Sequence, residues 1–214
     1  MATLTIPKYG QHAMFLGSTG SGKTYLAERM LDNVNSYFVF DTQDSLDLCA
    51  SVRVTNPKEC IKLLKKGIKK IQYCPEFKYQ NKIINGYIMD EIMQSSNKRH
   101  KKPRVIYIDE IFHFGFDNSF PKEIPIALAT CRQKAISIWI STQRPKRIPT
   151  NILSESTYIY QFFLTKYDDI DIVADSVRDQ KAYIETAVNL DKDEHAFIVV
   201  DQSNGTFKKY NAIE

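Results

Sequence analysis

The sequence contains few cysteines and no long apolar run. Only 4 of its 214 residues are cysteines, and they lie apart, without a CxxC pair or histidines at metal-ligand spacing. They are Cys49, Cys60, Cys74 and Cys131. This pattern argues against a zinc site or a disulfide framework and favours a reducing compartment. The longest apolar runs, 105–108 and 136–140, are too short to cross a bilayer, so we expect a chain that is not itself transmembrane.

Positively and negatively charged residues are nearly balanced in number. Lys and Arg number 29 against 25 Asp and Glu, which gives a formal net charge of +4. A surface of this charge tolerates a polyanionic partner but does not require one. With 43% hydrophobic and 25% charged residues, the composition is that of a folded globular protein, and the length predicts one domain over residues 1–214.

Short apolar segments alternate with longer amphipathic ones along the chain. This order is typical of βα units, so we predict the α/β class with a mostly parallel central sheet flanked by helices. The predicted strands cover 12–16, 37–41, 70–74, 104–109, 136–141, 158–163 and 196–200. The predicted helices cover 23–33, 57–66, 79–94, 121–132 and 167–188.

A segment that fits the pattern G-x-x-x-x-G-K-S/T joins the first predicted strand to the first predicted helix. It reads Gly17-Ser18-Thr19-Gly20-Ser21-Gly22-Lys23-Thr24. Glycines let successive backbone N–H groups surround phosphate oxygens, and the helix directs its positive N-terminal dipole at the same anion. Lys23 should reach the β- and γ-phosphates, and the Thr24 hydroxyl should bind Mg²⁺. The segment therefore predicts an ATP site.

Two acids, Asp109 and Glu110, end the apolar run that begins at Arg104. In a parallel sheet this end lies beside the phosphate-binding loop, where Asp109 can hold Mg²⁺ and Glu110 can polarise the attacking water. Both acids have the alternative role of capping the segment that follows. A hydrolytic glutamate favours an ATPase over a small-molecule kinase, because a kinase must exclude water.

Gln143 follows the predicted strand 136–141. If that strand lies between the strands that carry the phosphate loop and Asp109, Gln143 can reach the γ-phosphate or its attacking water. The alternative is a glutamine that hydrogen-bonds to the loop backbone.

Together these motifs resemble the FtsK/HerA superfamily of ring-forming DNA-translocating ATPases. The resemblance is greatest to the genome-packaging ATPases of tailless icosahedral double-stranded DNA viruses with an internal membrane, including viruses of archaea. It rests on 17–24, on Ile108-Asp109-Glu110 and on Ser141-Thr142-Gln143-Arg144-Pro145, the most discriminating segment. It implies a RecA-like P-loop NTPase fold of the ASCE type.

The resemblance also implies roles for individual residues. Gln143 corresponds to the γ-phosphate sensor, and Arg132 occupies the position of an arginine finger that acts on the neighbouring subunit, with Arg144 and Arg147 as competitors. Such a finger accelerates hydrolysis by roughly 10³- to 10⁵-fold. Because it acts on a neighbouring subunit, it requires an oligomer, so a homo-oligomeric ring is expected. The turn from Phe40 to Asp44 falls where the family has an aspartate-containing turn.

The function implied by the resemblance is Mg²⁺-dependent ATP hydrolysis that pumps viral double-stranded DNA into a preformed capsid. A capsid or internal-membrane protein is the further partner, and the expected location is the host-cell cytoplasm and the virion. The alternatives are a cellular or plasmid DNA translocase, and a nucleotide switch or kinase without motor activity.

A motor on DNA should contact phosphates without reading bases. The first candidate for this contact is the basic run Lys98-Arg99-His100-Lys101-Lys102. The second comprises Lys62, Lys65, Lys66, Lys69 and Lys70. Both have the alternative of a solvated basic surface. The aromatic segment 112–116 is predicted to lie in the core or at a subunit interface, with a loop that grips DNA as the alternative.

Overall fold

One twisted sheet organises the chain. The structure is a computed structural model that describes residues 4–96, 99–100, 102–114 and 123–212, with the backbone alone at 123. Within these residues the sheet has nine strands. They are β1 (Ala13–Leu16), β2 (Tyr37–Phe40), β3 (Val52–Val54), β4 (Lys70–Tyr73), β5 (Arg104–Ile108), β6 (Ile136–Thr142), β7 (Tyr158–Gln161), β8 (Phe197–Asp201) and β9 (Thr206–Tyr210).

The strand order across the sheet is β3-β4-β2-β5-β6-β1-β7-β8-β9. Neighbours from β3 to β7 pair in parallel, whereas β8 and β9 add antiparallel strands at one edge. The central strands β1, β2 and β6 are buried along their whole length, which is why their sequences are almost continuously apolar. The predicted α/β class with a mostly parallel sheet is confirmed.

Seven α-helices are described. They are α1 (Lys23–Asp32), α2 (Pro57–Lys65), α3 (Lys82–Gln94), α4 (Glu123–Cys131), α5 (Thr150–Glu155), α6 (Tyr167–Ala174) and α7 (Gln180–Val188). Two of their starts are set by asparagine caps: Asn56 accepts the N–H of Lys58 at 2.9 Å before α2, and Asn81 accepts the N–H of Ile83 at 2.9 Å before α3. None of the helices in the described part of the chain has the length and apolar composition needed to span a membrane.

The helices cover both faces of the sheet. On one face, α1 packs Leu26 and Met30 against residues such as Phe15 and Tyr107. On the other, α2, α3 and α4 pack against the alternate strand residues, such as Met14 and Ile106. Because side chains alternate along a strand, adjacent residues such as Met14 and Phe15 enter different cores.

The predicted elements differ from the structure in a few places. The strands β3 and β9 were not predicted, because they are edge strands with exposed charged residues and little apolar signal. The helix predicted over 167–188 is two helices, since the Asp179 side chain caps α7 by accepting the N–H of Ala182 at 3.1 Å. The helix predicted from Tyr79 begins at Lys82. Pro121, the predicted start of the next helix, lies outside the described residues.

Three adjacent strands position the candidate site. β6 lies between β5 and β1, so the residues that follow these three strands meet at one edge of the sheet. They are Asp109 after β5, Gln143 after β6 and the loop from Gly17 after β1. The expectation that Gln143 can reach the phosphates required β6 to lie between β5 and β1, and the strand order meets this condition.

Candidate active site

The phosphate-binding loop, 17–24, joins β1 to α1 in a conformation that depends on glycine. Gly20 and Gly22 have φ angles of 75° and 106°, in the left-handed region that favours glycine. At Gly17, an added Cβ would lie 2.7 Å from Phe162 Cβ. The Ser18 N–H donates to the carbonyl of Phe163 at 2.8 Å, which ties the loop to the segment after β7. The loop backbone therefore requires glycine at these positions and is tied to the segment after β7.

Two serine hydroxyls in this loop are buried without partners. Ser18 Oγ and Ser21 Oγ have no hydrogen-bond partner among the described residues. Buried polar atoms are normally satisfied, so orphaned hydroxyls in a glycine-rich loop at a helix N-terminus fit a site that takes an oxyanion.

Lys23 lies on the inner side of the loop. Its side chain is buried, and its Nζ donates to the Ser18 carbonyl at 3.0 Å. Burial lowers the pKa of the Lys23 ammonium, whereas the charges of Glu110 and Asp109 oppose that shift. The lysine thus sits within electrostatic reach of both acids predicted for the site.

Asp109 is held at the end of β5 by two hydroxyls. Its carboxylate accepts from Ser45 Oγ at 2.9 Å and from Tyr107 Oη at 3.2 Å. Burial raises the pKa of the Asp109 carboxyl, and the Ser45 hydrogen bond opposes this. Thr24 lies half-buried in the first turn of α1. A carboxylate and a hydroxyl are oxygen donors of the kind Mg²⁺ takes, so this pair fits the predicted cation.

Glu110 is fixed by the end of β6. One carboxylate oxygen accepts from Thr142 Oγ1 at 3.0 Å, and the other accepts the N–H of Gln143 at 3.2 Å. Its φ of 45° is left-handed, a strained conformation for a residue with a Cβ. Burial raises the pKa of the Glu110 carboxyl, whereas the Thr142 hydrogen bond lowers it. The side chain does not cap the turn that follows, so the alternative capping role has no support here.

Gln143 connects the phosphate-binding loop to Glu110. Its side-chain oxygen accepts from Thr19 Oγ1 at 2.8 Å, while its backbone N–H donates to Glu110. The side chain therefore contacts the loop through another side chain, not through the loop backbone as the alternative required.

The turn after β2 adds residues whose role the sequence did not define. Asp41 is fully buried and accepts the N–H groups of Ser45 and Leu46 at 2.9 and 3.1 Å. Gln72 Nε2 donates to the same carboxylate at 2.9 Å. Asp41 thereby positions Ser45, which in turn donates to Asp109. An available signal was that Asp41 follows an apolar strand just as Asp109 does.

A cleft of about 490 Å³ opens beside the loop. Its walls are formed by loop and α1 residues on one side and by aromatic residues of the β7–β8 region on the other. They are Gly20, Gly22, Lys23, Thr24, Tyr25, Leu26, Phe162, His195, Phe197 and Ala212. A largely apolar, aromatic wall next to a phosphate-binding loop suits the base and sugar of a nucleotide. Sequence reasoning did not identify Phe162, His195 or Phe197.

Arg132 does not join this group. It precedes β6, whereas Gln143 follows it, and the 7 residues of β6 separate the two ends by about 20 Å. The Arg132 guanidinium lies 3.5 Å from the Glu155 carboxylate and also donates to the Glu155 carbonyl. Within one subunit, Arg132 therefore cannot reach the phosphate-binding loop.

The competing arginines lie at the same edge as the loop. Arg144 pairs with the buried Asp169 at 3.2 Å. The Arg147 guanidinium stacks over the Phe112 ring, 4.9 Å from its centroid. Phe114 is buried in the core, as predicted for that segment, and residues 115 and 116 lie outside the described range.

Members of both sets of basic residues predicted to contact DNA lie before strands of the same sheet. Lys66 and Lys69 precede β4, Lys102 precedes β5, and all three are exposed at the edge opposite the phosphate-binding loop. Arg104 Nη2 donates to the Ile68 carbonyl at 2.9 Å and so joins the two segments. Lys98 and Lys101, also predicted to contact DNA, lie outside the described residues.

Sequence comparisons give no relative. No protein-family model matches the chain, and the search of curated proteins gives no match.

Solved structures do match the fold. The genome packaging NTPase B204 from Sulfolobus turreted icosahedral virus 2, in complex with ATP-gammaS, superposes with a TM-score of 0.74 at 16% identity, over 96% of this chain and 98% of that chain. B204, the DNA-packaging ATPase from Sulfolobus turreted icosahedral virus, gives 0.69 at 16% identity over 97% and 100% of the two chains. The pCW3 conjugation coupling protein TcpA, with ATPgS, gives 0.57 at 15% identity over 92% of this chain and 59% of that chain. At these identities the likeness establishes the fold, and the chain has the P-loop ATPase fold of the viral genome-packaging NTPase B204.

Proposed function

We propose that this protein is an Mg²⁺-dependent ATPase that works as a homo-oligomeric ring and moves double-stranded DNA into a viral capsid. The observation that carries the proposal is the chain of contacts from Thr19 through Gln143 to Glu110. It links the phosphate-binding loop to a buried carboxylate, and in this proposal that carboxylate acts on water. A site for nucleotide binding alone has no need of such a carboxylate.

Binding depends on the loop and its lysine. The backbone N–H groups of the loop, with the Ser18 and Ser21 hydroxyls, would take phosphate oxygens, and Lys23 would leave the Ser18 carbonyl to contact the β- and γ-phosphates. Thr24 and Asp109 would hold Mg²⁺, which supplies positive charge that offsets the charge of the phosphates. The aromatic cleft would hold the base and the sugar.

Hydrolysis depends on Glu110. Its carboxylate would accept a proton from water as the water oxygen bonds to the γ-phosphorus and the bond from that phosphorus to the bridging oxygen breaks. The products are ADP and phosphate. Burial raises the pKa of the Glu110 carboxyl, which makes it a stronger base than an exposed glutamate. Gln143 would respond to the γ-phosphate and transmit its presence from Thr19 to Glu110.

The ring and the DNA are proposed from the fold and from charge. B204, which shares this fold, is a DNA-packaging ATPase. Because Arg132 lies at the opposite end of β6 from its own loop, a role as an arginine finger requires the site of a neighbouring subunit. The basic residues around Lys66, Lys69 and Lys102 present a surface for DNA phosphates. The host-cell cytoplasm and the virion are the proposed location, with a capsid or internal-membrane protein as partner.

The test is the ATP turnover rate with and without double-stranded DNA of unrelated sequences. A motor should hydrolyse ATP faster with any duplex, and Lys23→Ala should abolish both rates because it removes the cationic side chain of the loop. Turnover that DNA does not change would favour a nucleotide switch, and phosphate transfer to a small molecule would favour a kinase. DNA stimulation without uptake into capsids would favour a cellular or plasmid translocase.

A further inference from the structure

The turn that joins α7 to β8 lies directly over the phosphate-binding loop. A Cβ placed on Gly20 would lie 3.5 Å from Lys192 Cε and 3.6 Å from Lys192 Nζ. A Cβ placed on Gly22 would lie 3.5 Å from His195 Cβ. His195 also lines the cleft beside the loop. The turn therefore forms an outer wall of the site and brings a second lysine to the loop.

The position of Lys192 is set by the backbone of this turn. Leu190 and Ala196, on either side of it, are buried and anchor both ends. Inside the turn, the Asp191 carboxylate accepts the N–H of Asp193 at 2.9 Å. His195 has a left-handed φ of 50°, and its N–H points to the Lys192 carbonyl at 3.4 Å. These contacts fix the backbone of the turn from which the Lys192 side chain reaches Gly20.

The two lysines near the loop differ in burial and in the residues beside them. Lys23 is buried beneath the loop, near Asp109 and Glu110. Lys192 is exposed, its side chain lies beside Gly20, and it has no ion-pair partner among the residues that the structure describes. Its ammonium group is thus available to an anion held by the loop.

We propose that Lys192 is a second cationic contact for the phosphates of the bound nucleotide, supplied by the same subunit. The inference rests on the proposed function, since it needs a nucleotide in the loop. Lys192 adds positive charge on the solvent side, where the loop itself offers only backbone N–H groups and small side chains. The turn would also shield the phosphates from bulk water.

The test is the affinity for ATPγS with Mg²⁺, measured by calorimetry on the full chain. Lys192→Met keeps the length of the side chain and removes the charge, so it should weaken binding about tenfold, as expected for a lost hydrogen bond between charged groups. Lys192→Arg keeps the charge and should stay within about threefold of the wild type. Lys181→Ala, at an exposed lysine of α7, is the matched control and should bind as the wild type does. The rise in melting temperature that ATPγS produces gives a second readout and reports folding of each variant.

The outcomes separate the two proposals. If the wild type binds ATPγS and Lys192→Met binds equally well, the role of Lys192 is wrong and the proposed function is unaffected. If Lys192→Met and Lys192→Arg lose affinity equally, the position matters and the charge does not, which also contradicts the inference. If the wild type itself does not bind ATPγS, the proposed function fails and the inference fails with it.

Discussion

The Thr19 hydroxyl donates a hydrogen bond of 2.8 Å to the side-chain oxygen of Gln143, although the two residues are 124 positions apart in the chain. The contact forms because β1 and β6 are neighbours in the sheet, so the residues after them share one edge. Through the N–H of Gln143 it extends to the Glu110 carboxylate. Two hydrogen bonds therefore link the phosphate-binding loop to Glu110, the acid that we propose acts in hydrolysis.

Breaking this path of hydrogen bonds should lower the ATP turnover number more than the affinity for ATPγS. Gln143→Ala removes the acceptor and should reduce the ATP turnover number about tenfold, with the ATPγS affinity within about threefold of the wild type. Gln133→Ala, at an exposed glutamine outside the site, is the control. Thr19→Val removes the donor, and the double variant should be no slower than the worse single variant. Additive losses would show that the two side chains act independently.

Replacing Glu110 should separate binding from hydrolysis. Glu110→Gln keeps the size of the side chain but is a far poorer proton acceptor, so turnover should fall by roughly 10² to 10⁴. ATPγS affinity should be retained, because the loop and Lys23 are unchanged. Calorimetry and steady-state phosphate release measure the two quantities. A loss of ATPγS affinity that matches the loss of turnover would mean that Glu110 supports the structure of the site.

The proposed role of Arg132 can be tested by mixing subunits. Arg132→Ala should bind ATPγS normally but turn over ATP at least roughly 10³-fold more slowly. Mixed with Glu110→Gln subunits, it should regain part of the activity, because some sites then combine an intact Glu110 with an intact Arg132 from the neighbour.

Phosphate release from the mixture is compared with that from each variant alone, and co-purification of an untagged variant with a tagged one establishes that mixed oligomers form. If mixed oligomers form without regained activity, Arg144 or Arg147, which lie at the edge of the loop, becomes the better candidate.

His12 should make the fold sensitive to acid. It is fully buried, its Nδ1 accepts the N–H of Ile138 at 2.9 Å, and its Nε2 lies 3.0 Å from the Leu128 carbonyl. Burial, with the charge of Arg132, lowers the pKa of His12 from 6.5 to about 4. Between these values the unfolded chain binds the proton and the folded chain does not, so stability falls as the pH falls below about 6.5.

The expected loss is about 2 kcal/mol of unfolding free energy between about pH 7 and pH 5, since each unit below 6.5 contributes about 1.36 kcal/mol. Urea unfolding at both pH values measures it. The His12→Gln variant has no titrating group at this position. Its unfolding free energy should therefore fall less between the two pH values, by about 2 kcal/mol. Equal pH dependence in both proteins would mean that His12 does not set the acid sensitivity.

Much of the fold followed from local pattern. The buried parallel strands β1, β2, β5 and β6 were predicted because strands covered on both faces need continuous apolar residues. β3 and β9 were not, because a short edge strand owes its existence to pairing with a neighbour that is distant in the sequence. The break between α6 and α7 depends on a single capping aspartate, Asp179.

The sequence by itself determined which chemistry to predict for the candidate site, because the loop 17–24 and the pair Asp109 and Glu110 are continuous segments whose residue types indicate their proposed roles. Only the tertiary structure decided which distant residues join them. The strand order brought Gln143 to Thr19, the turn after β2 brought Ser45 to Asp109, and the turn before β8 brought Lys192 to Gly20. The tertiary structure also placed Arg132 at the edge of the sheet opposite the phosphate-binding loop. These relationships arise because strands that are far apart in the chain become neighbours in the sheet. Residue spacing along the sequence does not indicate which strands will pair.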